Sequence, residues 1–147
     1  MKHIKTYENW FKNIFKSKYT TVADDYINHT LYGSSYNRLM SAASDGNYKR
    51  LKSYFPKYKD IINDVDKDGQ NVMVHLIDGK GDFWDKKKMI ELLIKNGFDI
   101  YFEIKLNTIT ITFYDLLDSK LKDWFDKTYP NLAEELKLNS DAKKYNL

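Results

Sequence analysis

The stretch Asn63–His75, NDVDKDGQNVMVH, contains a spacing suited to holding an ion. Asp64, Asp66, Asp68 and Gly69 match the first half of a calcium loop, D-x-D-x-D-G. Such a loop closes on a Glu at its twelfth position, which gives the ion two oxygens. Counted from Asp64, that position is His75, and the normally apolar eighth position is Asn71. A neutral imidazole cannot supply two hard oxygens. The preceding FPKYKD contains Pro56 and does not read as a long helix entering the loop. The three aspartates are therefore expected to shape a turn rather than bind calcium: Asp bonds its own backbone and Gly supplies positive φ.

The other chemically capable residues point the same way. His3, His29 and His75 are far apart and fit no H-E-x-x-H spacing. Cysteine is absent, which removes disulfides, thiolate nucleophiles and cysteine metal sites. YGSSYN is not a nucleophile elbow, and GKGD at Gly79–Asp82 lacks the frame of a phosphate loop. The run Lys86-Lys87-Lys88 reads as a solvated helix face. No pair of carboxylates can be assigned to catalysis from spacing. The expectation is a protein without enzymatic activity, cofactor or bound metal.

The chain has 147 residues, 42% hydrophobic and 16% aromatic, enough for one domain with a core. A net charge of +3, with 22 Lys against only Arg38 and Arg50, argues against nucleic-acid binding, because Arg is the residue that forks onto phosphates and guanine edges. No apolar run approaches the length of a transmembrane helix. MKHIKTYENWFKNIFK lacks the uninterrupted apolar core of a secretory signal. A cytoplasmic monomer is expected.

Two segments align at a fixed offset. YNRLMSAASDGNYKRLKSYF (36–55) and QNVMVHLIDGKGDFWDKKKMIELLI (70–94) each open on an Asn, Asn37 and Asn71, 34 residues apart. Ala42-Ala43 and Leu76-Ile77 share that offset. A Gly-containing break follows each, then a second apolar run: Leu51, Tyr54, Phe55 and Ile90, Leu93, Ile94. The pattern predicts helix, tight turn, helix, twice. A shorter copy starts at Thr112 with TFYDLLDSKLKDWF. YFEIKLNTITIT (101–112) alternates apolar with polar and predicts a β-hairpin turning at Asn107-Thr108.

This period of paired short helices resembles the ankyrin repeat. SAASDGNYKRLKSYF is similar to that family's paired small residues, Gly turn and second helix; ELLIKNGFDI to the end of a second helix with its Gly cap; INDVDKDGQN to the hairpin leading into the next repeat. Asn37, Asn71 and Thr112 fall where the family places the Thr of T-P-L-H, a helix-capping position. The motif's Pro is replaced by Arg38, Val72 and Phe113, and its His by Met40, Val74 and Asp115. Repeat two carries about five extra residues between its helices, in GKGDFWDKKK.

The resemblance implies a mainly α, ankyrin-like helical solenoid of about three repeats (36–68, 69–108, 109–126). An N-terminal helical cap would cover 1–35, and a C-terminal cap helix and tail 127–147, with Pro130 in the helix's first turn and a frayed polar end from Asn139. It also implies a protein–protein interaction module binding through its concave surface. The family's contact positions carry over to Tyr36, Ser44 and Asp45, then Lys67, Asp68, Gln70, His75 and Asp78, then Glu103, Lys105 and Ile111. Phe83 and Trp84, at the tip of the extra residues, are either partner anchors or plugs over the core. A short single-domain binder fits a blocking role, such as that of a viral or mobile-element protein acting in a host cytoplasm. The alternative is peripheral binding to a membrane or anionic surface through a basic amphipathic N-terminal helix bearing Lys2, Lys5, Lys12 and Lys16.

Overall fold

The computed structural model describes residues 38–66 and 68–144. The expected N-terminal cap and its lysines, with Tyr36 and Lys67, lie outside the described residues. The described chain is mainly helical with one two-stranded antiparallel sheet. It divides into two compact units between Asp99 and Ile100. That boundary falls inside the repeat assigned to 69–108, just ahead of the hairpin.

The first unit contains two helix–turn–helix pairs. Helix α1 spans 38–44 and α2 spans Tyr48–Ser53. Leu39, Ala42, Ala43 and Leu51 are fully buried. Asn47 starts α2, its Oδ1 accepting from the Arg50 N–H at 3.0 Å. The second pair is α3, Val72–Asp78, and α4, Phe83–Lys95. Asn71 caps α3 as its position predicts, accepting from the Val74 N–H at 3.1 Å. Val72, Met73, Val74, Leu76 and Ile77 are all buried, which leaves His75 and Asp78 as the half-buried positions of α3. Met89, Ile90 and Leu93 form the buried stripe of α4.

The extra residues of the second pair are not an inserted loop. The turn between α3 and α4 covers only 79–82, and FWDKKK is the start of α4. Asp82 sets that start, its Oδ1 accepting from the Asp85 N–H at 2.8 Å. Phe83 and Trp84 therefore stand on a first helical turn rather than at a loop tip.

The two pairs are joined turn to turn. The Lys80 N–H donates to the Ser44 carbonyl at 2.7 Å. Gly46, at φ +71°, lies so close to Gly81 that a Cβ on it would come within 2.5 Å of the Gly81 Cα. Beyond the second helices, the Asn63 side chain donates to the Gly97 carbonyl at 3.3 Å and accepts from the Asp99 N–H at 2.8 Å.

The second unit begins with strands β1, Glu103–Leu106, and β2, Ile109–Thr112, turning at Asn107-Thr108 where the alternation places the turn. Ile104 pairs with Ile111, and Asn107 takes φ +53°, a conformation its short polar side chain tolerates. Helices α5, Phe113–Leu116, α6, Ser119–Thr128, and α7, Pro130–Lys144, follow. Phe113 and Phe125 meet edge to face at 5.3 Å in the core of this unit, with Leu117, Leu121, Ala133 and Leu136 around them. Pro130 occupies the first turn of α7, as expected. The helix then continues through the residues assigned to a frayed tail, because Ser140 is buried and its hydroxyl donates to Asp115 Oδ1 at 2.8 Å.

Candidate functional site

In the first unit the predicted contact residues gather at two places. One is the loop that enters α3. Asp66 is only 3% exposed there, and it organises the loop. Its Oδ1 accepts from the Asp68 N–H at 2.9 Å and the Gln70 N–H at 3.0 Å. Its own N–H donates to the Gln70 carbonyl at 2.9 Å, and its carbonyl accepts from the Gly69 N–H at 2.9 Å. Gly69 has φ +78°. Asp66 Oδ2 faces His75 Nε2 at 3.1 Å. The aspartate spacing that resembles a calcium loop thus holds a tight turn, with the carboxylate directed at its own backbone and at a histidine. Among the described residues no group of three or more His, Asp or Glu is placed to hold a metal.

Asp68 and His75 are half-buried beside this hub, and Asp78 closes α3. Gln70 departs from its expected contact role. It is 2% exposed, because its backbone completes the Asp66 loop and draws the side chain inward.

The second place is the turn between α1 and α2. Asp45 is exposed and pairs with Arg50 at 3.4 Å. The Arg50 guanidinium also donates to Ser41 Oγ at 2.8 Å and to Tyr54 Oη at 3.3 Å. Ser44 is half-buried and uses its carbonyl to join the next turn. Trp84 is 61% exposed and so does not plug the core; half-buried Phe83 meets it edge to face at 5.3 Å.

Glu103, Lys105 and Ile111 belong to the second unit. Glu103 and Lys105 are exposed on β1. Ile111 is 0% exposed, the opposite of a contact position: alternation along β2 turns it inward beside Ile104.

This unit holds two polar clusters that the sequence reading did not identify. Asp115, 6% exposed, accepts from the Thr112 N–H at 2.9 Å and the Thr112 hydroxyl at 3.0 Å, besides Ser140. The pairing of Thr112 with Asp115 is a capping signature three residues apart; Ser140 lies 25 residues on, with no local signal. At the edge of the core, the hydroxyl of buried Tyr114 donates to Asp126 at 2.9 Å, and Lys137 Nζ donates to the same carboxylate at 3.0 Å. Burial pushes the Tyr114 hydroxyl above its ordinary pKa, with Asp126 adding to the effect. Its hydrogen bond to Asp126 raises Lys137 as well.

A cavity of about 120 Å³ opens in the second unit between Ile100–Glu103, Thr112, Leu136 and Asn139. No described helix is long and apolar enough to cross a membrane. Comparison with protein-family models, with curated proteins and with solved structures finds no match.

Proposed function

We propose that this chain is a non-enzymatic protein–protein interaction module built on divergent ankyrin-like repeats, acting in the cytoplasm by occupying a partner's surface. The observation that carries the reading is the joining of the two helical pairs at an offset of one repeat. The Ser44–Lys80, Asn63–Gly97 and Asn63–Asp99 bonds span 36, 34 and 36 residues, close to the ankyrin period of about 33. Stacked units of this kind present their turns and first helices as one preformed surface, which loses little conformational entropy on binding. Asp45, Asp68, His75 and Asp78 lie on those elements, and Trp84 is a large exposed aromatic of the sort that anchors interfaces.

Affinity capture from source-cell or host-cell lysate, read by mass spectrometry, tests this. Wild type runs beside Asp45→Ala/Asp68→Ala/Asp78→Ala. A protein held by wild type and lost by the variant supports the turn-and-first-helix surface. A protein held equally by both refutes that placement of the site. Failure of either chain to hold any protein counts against the interaction reading.

A further inference from the structure

The outer sides of α2 and α4 carry a surface whose lysines the repeat reading leaves unused. Tyr48 opens α2, Trp84 stands in the first turn of α4, and the two helices pack together. Lysines lie over both rings. Lys87 Nζ lies 5.3 Å from the Trp84 ring centroid. Lys52 of α2 and Lys88 of α4 both lie over Tyr48, at 6.0 and 5.9 Å. Lys49 adds another exposed ammonium on α2. The acids of α4 lie at its capped start, Asp82 and Asp85, and at half-buried Glu91. Among the described residues, no carboxylate is within ion-pair distance of Lys49, Lys52 or Lys88.

Three physical points select the ligand. The surface is cationic, so the ligand is anionic. Tyr48 is half-buried with two ammoniums over it, which leaves Trp84 as the one exposed ring of this face, whereas single-stranded nucleic acid needs a series of aromatic faces on which successive bases stack. Binding at a lipid surface scales with apolar area buried, and the only large exposed apolar side chain of α2 or α4 among the described residues is Trp84. Lysine meets a carboxylate as a point charge without demanding forked geometry. Acidic side chains three or four residues apart on a helix lie on one face, so such a segment can offer carboxylates to lysines of both α2 and α4 at once.

We propose that the lysine-and-aromatic face of α2 and α4 binds an acidic segment of a partner protein. Asp or Glu carboxylates engage Lys49, Lys52 and Lys88, and an apolar side chain lies against Trp84. The lysines that carry this proposal are not residues of the turn surface, so it can fail while the turn surface stands, and the reverse.

The test is fluorescence anisotropy of labelled poly-L-glutamate titrated with the full 147-residue chain at low salt, with poly-L-glutamine as the neutral control. Wild type is expected to bind poly-L-glutamate alone and to weaken as salt rises. Lys52→Glu/Lys88→Glu is expected to weaken binding about tenfold or more, because two exposed attractions become repulsions. Lys120→Gln/Lys127→Gln, which removes lysine charge from exposed positions of the second unit, is expected to leave it nearly unchanged. Lys52→Gln/Lys88→Gln, which only neutralises, should weaken it about threefold and decides the matter if the reversed variant loses its far-UV circular dichroism. Equal binding by wild type and the folded Lys52 and Lys88 variants overturns the proposal. So does tighter binding of wild type to oligo-dT or to phosphatidylserine vesicles than to poly-L-glutamate.

Discussion

Asp66 and Asp115 are both buried carboxylates that hold a turn leading into a helix, one in each unit, and they are built differently. Asp66 works locally. Both backbone donors to its Oδ1 come from within the next four residues, and its Oδ2 faces a histidine on the helix it introduces. Asp115 works at long range. Two of its donors come from Thr112, and the third, Ser140, belongs to a helix 25 residues further along. A carboxylate that shapes its own loop can be lost with damage confined to that loop, where water replaces part of what is removed. One that ties a strand end to a distant helix leaves several donors stranded in the core when it goes.

Asp115→Ala should break the comparison hardest. Removing the acceptor leaves one N–H and two hydroxyls buried without it, and the expected loss is about 4 kcal/mol of unfolding free energy, measured by urea denaturation. Asp115→Asn should recover much of this: its oxygen can accept both Thr112 bonds, and its NH₂ can donate to the Ser140 hydroxyl, which accepts as well as donates. Stability of Asp115→Ala within about 1 kcal/mol of wild type would show that Asp115 is not the joint described here.

Asp66→Ala should cost less, about 2 kcal/mol, because part of its loop is solvent-exposed. Its Asn variant should cost less again. One oxygen is enough for the Asp68 and Gln70 N–H groups, and the NH₂ can donate to a neutral His75 ring nitrogen. Asp66→Asn is therefore expected within about 1 kcal/mol of wild type. Equal losses for the two Ala variants would erase the distinction between local and long-range carboxylates.

These clusters also mark how far the sequence could be read. The Asn71 cap, the turn at Asp66 and Gly69, the hairpin turn at Asn107-Thr108 and the two helical pairs were legible because each rests on residues close in sequence or on a repeated period. The start of α4 carries a local signal, Asp82 three residues before Asp85, but in the repeat alignment the same residues look like an insertion. The inward turn of Gln70 and of Ile111 follows from the local backbone, Gln70 closing the Asp66 loop and Ile111 pairing with Ile104, which a resemblance of contact positions does not carry. The pairing of Asp66 with His75 and of Asp115 with Ser140 depends on separations of 9 and 25 residues, and no pattern in a single sequence announces either.

A third carboxylate, Asp126, supplies the surface counterpart of this pair, and the smallest effect belongs to it. It accepts from Tyr114 and Lys137 while its own side chain is 34% exposed, so solvent screens both attractions. Tyr114 and Lys137 each have a folded-state pKa raised above the ordinary values of 10.0 and 10.5. The folded protein therefore favours the protonated form of both groups. Their contribution is fully present below pH 10 and is lost as pH rises through the folded-state values. Tyr114→Phe should cost about 1 kcal/mol at neutral pH, through the lost hydrogen bond, and should flatten the fall in the urea midpoint above pH 10. The remaining alkaline fall should persist through Lys137, whose first cause is Asp126 rather than the phenol, and Asp126→Asn should remove most of it. A wild-type midpoint that holds steady through this alkaline range would rule out the coupling of Tyr114 and Lys137 to folding.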